Sequence, residues 1–173
     1  MTRNGSIVWA LMFALALSVT IAVTPRAQEP TPGWRTFDGT WSASGQRQSV
    51  PIGDGHTASV AHFSGAIVLS NGERIAAGFN AEVIGFDDGA SQTTGRAVWT
   101  DSAGDRIFSS LRGGPLQTGR RIAGTITGGT GRWSGVTGEY ELTWQYIVAA
   151  DAETIQGRST DFRGRLRWRE GQP

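Results

Sequence analysis

The stretch that decides the fold is EYELTWQYIV, residues 139–148, together with DFRGRLRWR, residues 161–169, near the C-terminus. In the first segment, aromatic and aliphatic residues alternate with polar ones. In the second, Phe162, Leu166 and Trp168 alternate with arginines. A period of two residues is typical of a β-strand with one apolar and one solvated face. Both segments are therefore predicted to be strands of an antiparallel sheet.

Alternation and turn signals continue through the chain after residue 33, where helical periodicity is nearly absent. Glycine supplies many of the turn-like positions, with 25 copies in 173 residues. The pattern predicts eight strands, near residues 37–47, 57–69, 74–86, 94–100, 105–112, 119–127, 138–148 and 159–169. Sequential strands with short connections predict an all-β fold, an eight-stranded antiparallel up-and-down barrel, with a two-sheet sandwich as the alternative.

The N-terminus has the composition of a targeting segment. Arg3 precedes a long apolar run, which ends shortly before Ala27. This pattern predicts a secretory signal peptide over residues 1–27, a linker over 28–34 and a barrel domain over 35–170, in a secreted or periplasmic protein. An uncleaved membrane anchor is the alternative, because the apolar run is nearly long enough to span a bilayer.

Composition excludes several classes of site. The chain has no cysteine, which rules out disulfides and cysteine–zinc centres, and its net charge of +1 gives no footprint for nucleic acid. Its two histidines, His56 and His62, lack a clear carboxylate partner, so neither a metal nor a cofactor is predicted. Asp101 and Asp105 flank a short turn, and capping of that turn is favoured over a calcium site.

One glycine-rich segment is familiar. Residues 128–138 read G-G-T-G-R-W-S-G-V-T-G, which resembles the pattern G-G-T-G-(basic)-(aromatic)-(small)-G-x-x-G of the allene oxide cyclase-like and dirigent-like barrels. The resemblance covers about residues 94–148 well. Glycines permit a tight connection there, and Trp133 could fold over a barrel end as a plug.

That resemblance implies a barrel with an apolar cavity that constrains the conformation of its substrate. Relatives in these families include a cyclase that acts on a fatty-acid epoxide, proteins that orient phenoxy radicals, and bacterial cyclisation enzymes. Such proteins often form dimers or trimers, so a homo-oligomer is among the expected partners. No catalytic residue can be transferred to this chain, because the strands that would carry them have no matching motif.

Three functions are consistent with the sequence. The first is an exported barrel that binds an apolar small molecule in its cavity. The second is an isomerase or cyclase of the allene oxide cyclase-like type that uses the same cavity. The third is a structural barrel with a filled interior and no ligand. Whether the protein is an enzyme is left undecided, and an open cavity would favour the first two functions over the third.

The choice of catalytic residue depends on one hairpin. Asn71-Gly72 predicts a two-residue turn that pairs Ser70 with residue 73. In that register Glu82 and His62 point to opposite faces, so only one of them can face the interior.

The face that holds Glu82 also carries the bulkier apolar side chains, and it is therefore predicted to line the interior. Glu82 then becomes the candidate general acid or ligand-orienting group. If Glu82 were in solvent and His62 inside, the role would pass to His62.

Four residues are candidate ligand-binding groups in the cavity: Asn80, Phe63, Tyr140 and Trp144. The alternative for the aromatic members is a place in an ordinary core. The last hairpin gives a second register prediction, in which Glu139 and Glu141 share the outer face with arginines of the final strand and at least one Glu–Arg pair forms.

Overall fold

A computed structural model describes residues 33–72, 74–114, 119–149 and 154–169. The predicted signal peptide and most of the linker therefore lie outside the described residues. The strands are β1 (Arg35–Gly53), β2 (His56–Asn71), β3 (Arg74–Asp87), β4 (Thr93–Asp101), β5 (Arg106–Gly113), β6 (Arg120–Gly129), β7 (Val136–Ala149) and β8 (Thr154–Trp168). A single 3-10 turn, Gly131–Trp133, separates β6 from β7.

The eight strands form one closed barrel in sequence order. Each strand pairs antiparallel with the next, and β8 closes the barrel by pairing with β1. The predicted up-and-down barrel is confirmed, and the sandwich alternative is excluded because the sheet has no free edge. None of the helical structure in the described part of the chain is long and apolar enough to cross a membrane.

Alternation along each strand places large apolar side chains inside. On β1 the buried residues include Phe37 and Trp41, and on β7 they include Tyr140 and Trp144. Their intervening neighbours face outward and are polar. The period of two that the sequence showed is therefore the inside–outside alternation of the barrel wall.

Aromatic rings fill most of the interior. Trp99 is 1% exposed and contacts Tyr140 at 5.0 Å and Phe162 at 5.9 Å between ring centroids. A second group stacks above it, with Trp41 4.8 Å from Trp144. Such tilted and edge-to-face contacts add to the free energy of burial. The barrel is therefore packed more like a core than like a channel.

The last hairpin confirms its predicted register. Glu139 lies opposite Arg165 and Glu141 opposite Arg163 on the outer face. The Nε atoms of these arginines donate to the glutamates at 2.7 and 2.8 Å. The hydrogen bond from Arg163, with the nearby charges of Arg163 and Arg121, lowers the pKa of Glu141 despite partial desolvation. These exposed pairs set the register more than they stabilise the fold.

The hairpin between β2 and β3 contradicts the prediction. Asn71 pairs with Arg74, so the turn sits one residue later than expected, and a bulge then shifts the register between Ser70 and Leu69. Leu69 lies opposite Ala77, and Ala76 is left without a partner in the ladder. A β-bulge of this kind changes which residues face inward.

Because of this shift, β3 turns its other face to the interior. Glu82 lies opposite Ser64, and His62 lies opposite Ile84. Both Glu82 and His62 are on the exposed outer face, as is Asn80. The prediction that Glu82 points inward with Asn80 beside it is wrong, and so is the premise that either Glu82 or His62 must point inward.

Glycines on the inner face make room for the large rings. A Cβ atom on Gly124 would lie 2.0 Å from Cζ of Tyr140, its partner across β6 and β7. By contrast, a Cβ atom on Gly78 of β3 would meet nothing within 4 Å. The two positions form a natural pair for comparing a required glycine with a dispensable one.

We expect Gly124→Ala to lower the free energy of unfolding by about 1–3 kcal/mol, because the Tyr140 ring must move within a packed interior. Gly78→Ala should change it by less than about 0.5 kcal/mol. Urea denaturation of the two variants measures the difference. Equal effects of the two substitutions would show that the Tyr140 ring does not lie over Gly124.

Candidate functional site

The two ends of the barrel are built differently. We call the end that carries the β2–β3, β4–β5 and β6–β7 connections the plug end. The opposite end, which carries the β1–β2, β3–β4, β5–β6 and β7–β8 connections, is the mouth end. Residues 115–118 and 150–153, in two of the mouth connections, lie outside the described residues.

Trp133, in the 3-10 turn, covers the plug end. Its ring lies 5.5 Å from Phe79 of the core and stacks on Trp168 at 5.8 Å. Its Nε1 donates a 2.8 Å hydrogen bond to Oδ2 of Asp101, which also accepts from Nε of Arg132 at 2.7 Å. The glycine-rich segment therefore fixes an aromatic residue over one end of the barrel.

Asp101 is the acceptor that holds this turn in place. It is 6% exposed, and its Oδ1 accepts the backbone N–H groups of Ala103 and Asp105. Burial raises the pKa of Asp101, but the hydrogen bonds from Trp133, Ala103, Arg132 and Asp105 outweigh it and hold the pKa below its usual range. The carboxylate thus serves the capping role expected of a turn aspartate.

Towards the mouth end the interior contains a cavity of about 50 Å³. Its walls come from all eight strands and are mostly apolar, and they include Trp41, Phe63, Ile67, Val83, Ala97, Trp99, Leu111, Ile122, Tyr140, Leu142, Trp144 and Phe162. Thr93, Thr94, Gly95, Arg112 and Gly113 lie on the side nearest the mouth. The volume is about a third of that of the engineered apolar cavity of about 150 Å³ that accepts benzene.

Three polar atoms of the residues that line this cavity have no hydrogen-bond partner among the described residues: Nε1 of Trp41, Nε1 of Trp144 and Oγ1 of Thr93. Trp41 is 5% exposed, Trp144 2% and Thr93 8%, so none of them is well solvated. An unpaired buried polar group costs about 1–3 kcal/mol. A molecule that offered an acceptor to these groups would recover part of that cost.

Tyr140 also lines the cavity, and its hydroxyl, unlike the unpaired atoms above, is hydrogen-bonded within the protein. Its hydroxyl and that of Ser109 are 2.8 Å apart and buried. Burial raises the pKa of Tyr140, and the hydrogen bond with Ser109 only partly offsets that effect. The phenol therefore stays neutral and can act as a donor but not as a base at ordinary pH.

Charged side chains project inward above the cavity, at the mouth. Arg47 faces inward from β1, and its buried Nε has no hydrogen-bond partner among the described residues. Asp87, 6% exposed, ends β3 and accepts the N–H of Gly89 at 2.8 Å. Burial raises the pKa of Tyr146, and Arg47 and Asp87 act on it in opposite directions. These side chains form the polar rim of the mouth.

The structure separates the predicted site residues into two groups. Phe63, Tyr140 and Trp144 line the cavity together. Glu82 and Asn80 lie outside the barrel, so the sequence analysis assigned the acidic group to the wrong face. Whether any of these residues binds a ligand stays a prediction.

Sequence reasoning missed Thr93 as a cavity group, and it missed Arg47 and Asp87 at the mouth. The alternation that places Trp41 inside, continued along β1, reaches Arg47, so that signal was present. Asp87 gave no such signal, because its direction depends on the bulge between β2 and β3.

Comparisons with known proteins add little. No family model matches the chain, and no curated protein matches it. Among solved structures, a chain described as pyocyanin demethylase is 19% identical, with a TM-score of 0.39, over 73% of this chain and 99% of that one. A likeness this weak carries no argument about function, and nothing in the comparisons names the allene oxide cyclase-like or dirigent-like families.

Both tyrosines of the chain, Tyr140 and Tyr146, have raised pKa values. We therefore expect less tyrosinate absorbance in the folded protein than in the denatured protein at about pH 10, where an unperturbed phenol is half ionised. Because the unfolded chain loses these protons first, stability should fall as the pH rises above about 10. Spectrophotometric titration, with the denatured protein as the control, tests this, and ionisation of either tyrosine at its unperturbed pH would contradict it.

Proposed function

We propose that this protein is an exported binding protein for a small, largely apolar molecule, which enters at the mouth end. The observation that carries the proposal is the apolar cavity with three unpaired polar atoms, Nε1 of Trp41, Nε1 of Trp144 and Oγ1 of Thr93, on residues of its wall. Apolar walls with a few polar groups are typical of small-molecule sites. The targeting segment over residues 1–27 supports export to the periplasm or the medium.

The size of the cavity defines how the ligand binds. A volume of about 50 Å³ is less than twice the share of liquid volume of one water molecule, about 30 Å³. The cavity therefore takes only a short apolar end of the ligand, with an acceptor atom towards Trp41. The remainder of the ligand lies in the mouth, between the cavity and the polar rim of Arg47, Asp87 and Tyr146.

A second candidate function is an isomerase or cyclase, favoured by that polar rim. A protonated phenol, a guanidinium and a carboxylate at the opening of an apolar cavity are groups that can donate a proton, stabilise an anion and accept a proton. The resemblance of residues 128–138 to allene oxide cyclase-like barrels also supports an isomerase or cyclase. In this candidate, Tyr146, Arg47 and Asp87 replace Glu82 as the chemical groups.

The outer face supports the proposal of a homo-oligomer. Val60 and Phe86 pair across β2 and β3 and are 49% and 50% exposed, and Ile84 beside them is 60% exposed. Val50 and Ile52 of the adjoining β1 are exposed as well. An apolar patch of this kind on the wall of a small barrel is a candidate surface for a second copy of the chain.

Nuclear magnetic resonance of the indole Nε1–H groups tests the binding proposal. We use 2-butanone, which offers a short apolar end and one carbonyl acceptor, as the probe. A saturable shift of the Trp41 signal, assigned from its loss in Trp41→Phe, is expected. Trp41→Phe should weaken binding about fivefold to tenfold, because it removes a hydrogen bond of about 1 kcal/mol.

Ala97→Val fills the cavity and should abolish the shift, since Ala97 is 2% exposed and lies in the cavity wall. Ala123→Val on the exposed face of β6 is the matched control and should leave binding unchanged. Unchanged signals from the indoles of Trp34, Trp133 and Trp168, which lie at the plug end away from the cavity, establish that each variant is folded. If the probe gives no saturable shift and no small molecule co-purifies with the protein, the barrel is a filled structural one.

A further inference from the structure

We propose that the plug end carries a second binding site, for a flat organic anion such as an aromatic carboxylate. An open cleft of about 660 Å³ lies there, on the outside of the barrel. It is lined by Gly33, Trp34, Arg35, Ala76, Ala77, Arg132, Trp133 and Trp168. A cleft of this volume lies in the usual range for small-molecule sites, about 300–1,000 Å³.

The lining has an unusual composition for an exposed surface. Trp34, Trp133 and Trp168 supply three indoles, and Arg35 and Arg132 supply two guanidinium groups. Among the described residues, no acidic side chain lines the cleft. Aromatic rings offer large apolar contacts for a planar molecule, and guanidinium groups match the geometry of a carboxylate.

The aromatic and cationic groups are held in an ordered stack. Cζ of Arg35 lies 5.2 Å from the ring centroid of Trp168, which stacks on Trp133 at 5.8 Å and an interplanar angle of 19°. Cζ of Arg132 lies 5.1 Å from the ring centroid of Trp133. Each end of the stack is therefore a guanidinium group, whose edge carries the N–H donors.

Hydrogen bonds fix the indoles within this stack. Nε1 of Trp133 donates to Asp101, and Nε1 of Trp168 donates to the carbonyl oxygen of Arg132 at 3.2 Å. Arg132 is itself bound to Asp101 through Nε at 2.7 Å. The groups are thus in place before a ligand arrives, which lowers the entropic cost of binding.

Charge decides the sign of the ligand. Arg132 is paired with Asp101, but no carboxylate pairs with Arg35 among the described residues. Arg167 adds positive charge nearby, with its Cζ atom 4.6 Å from the ring centroid of Trp34, while the charge of Arg165 beside the same ring is paired with Glu139. A cationic ligand would bind through the faces of the indoles, but guanidinium groups already lie over those faces and would repel it.

Arg35 is therefore the group that receives the anion. A carboxylate can accept two parallel N–H bonds from one guanidinium, while the flat body of the ligand lies against the indoles and Ala77. This site is separate from the interior cavity, because Trp133 lies between them at the plug end and the cavity lies towards the mouth. The proposal is thus independent of the function proposed above.

Calorimetric titration of the protein with 2-naphthoate, and with its neutral isostere 2-naphthamide, tests this site. We expect one 2-naphthoate per chain, bound at least tenfold more tightly than the amide. Added salt should reduce the difference, because the cleft is exposed to solvent. Equal affinity for the two compounds would overturn the proposal.

Variants locate the site on the barrel. Arg35→Gln should remove the preference for 2-naphthoate over the amide, and Trp168→Leu should lower the affinity for both compounds. Arg158→Gln is the matched control, since Arg158 is exposed on β8 and does not line the cleft. The cavity variant Ala97→Val should leave 2-naphthoate binding unchanged. An equal loss in Arg35→Gln and Arg158→Gln would show only general attraction to a basic surface and contradict the proposal.

Discussion

Closure of the sheet is the constraint on which the rest of this structure depends. When eight strands join into one barrel, every strand must turn one face into the same small interior. Large rings occupy that space because glycines lie beneath them, Gly124 beneath the ring of Tyr140 and Gly157 beneath the ring of Trp144. A Cβ atom on either glycine would collide with the ring. Between these rings, a cavity of about 50 Å³ remains towards the mouth.

The two ends of the barrel differ in what covers them. At the plug end a single buried carboxylate, Asp101, holds both the β4–β5 turn and the Trp133 ring. At the mouth end no comparable aromatic cover is present in the described residues. The charges of Arg47 and Asp87 there are close enough to Tyr146 to act on its pKa. In the proposed function, the ligand therefore enters from the mouth end. The plug also creates the outer cleft, because the residues that fix Trp133 bring its ring beside Trp168.

The fold was predictable from the sequence because most strands keep a strict period of two. The alternation in β1 and β7 assigned Trp41 and Trp144 to the apolar faces of their strands. In the structure both rings contact Phe63 in the core. The charge pairs of the last hairpin followed from the same rule. The site was less predictable. One unpaired residue, Ala76, reversed the faces of β3, and a bulge of this kind has no distinct signature in the sequence.

The bulge between β2 and β3 turns Val83 into the barrel and Glu82 out of it. Because the chain contains no cysteine, a single introduced thiol reports on one position. The direct measurement is the rate at which a thiol reagent labels Glu82→Cys and Val83→Cys in the folded protein. Because residue 82 faces solvent and residue 83 faces the interior, we expect rapid labelling at position 82 and protection at position 83 until the protein unfolds. Protection at position 82 with rapid labelling at position 83 would contradict it.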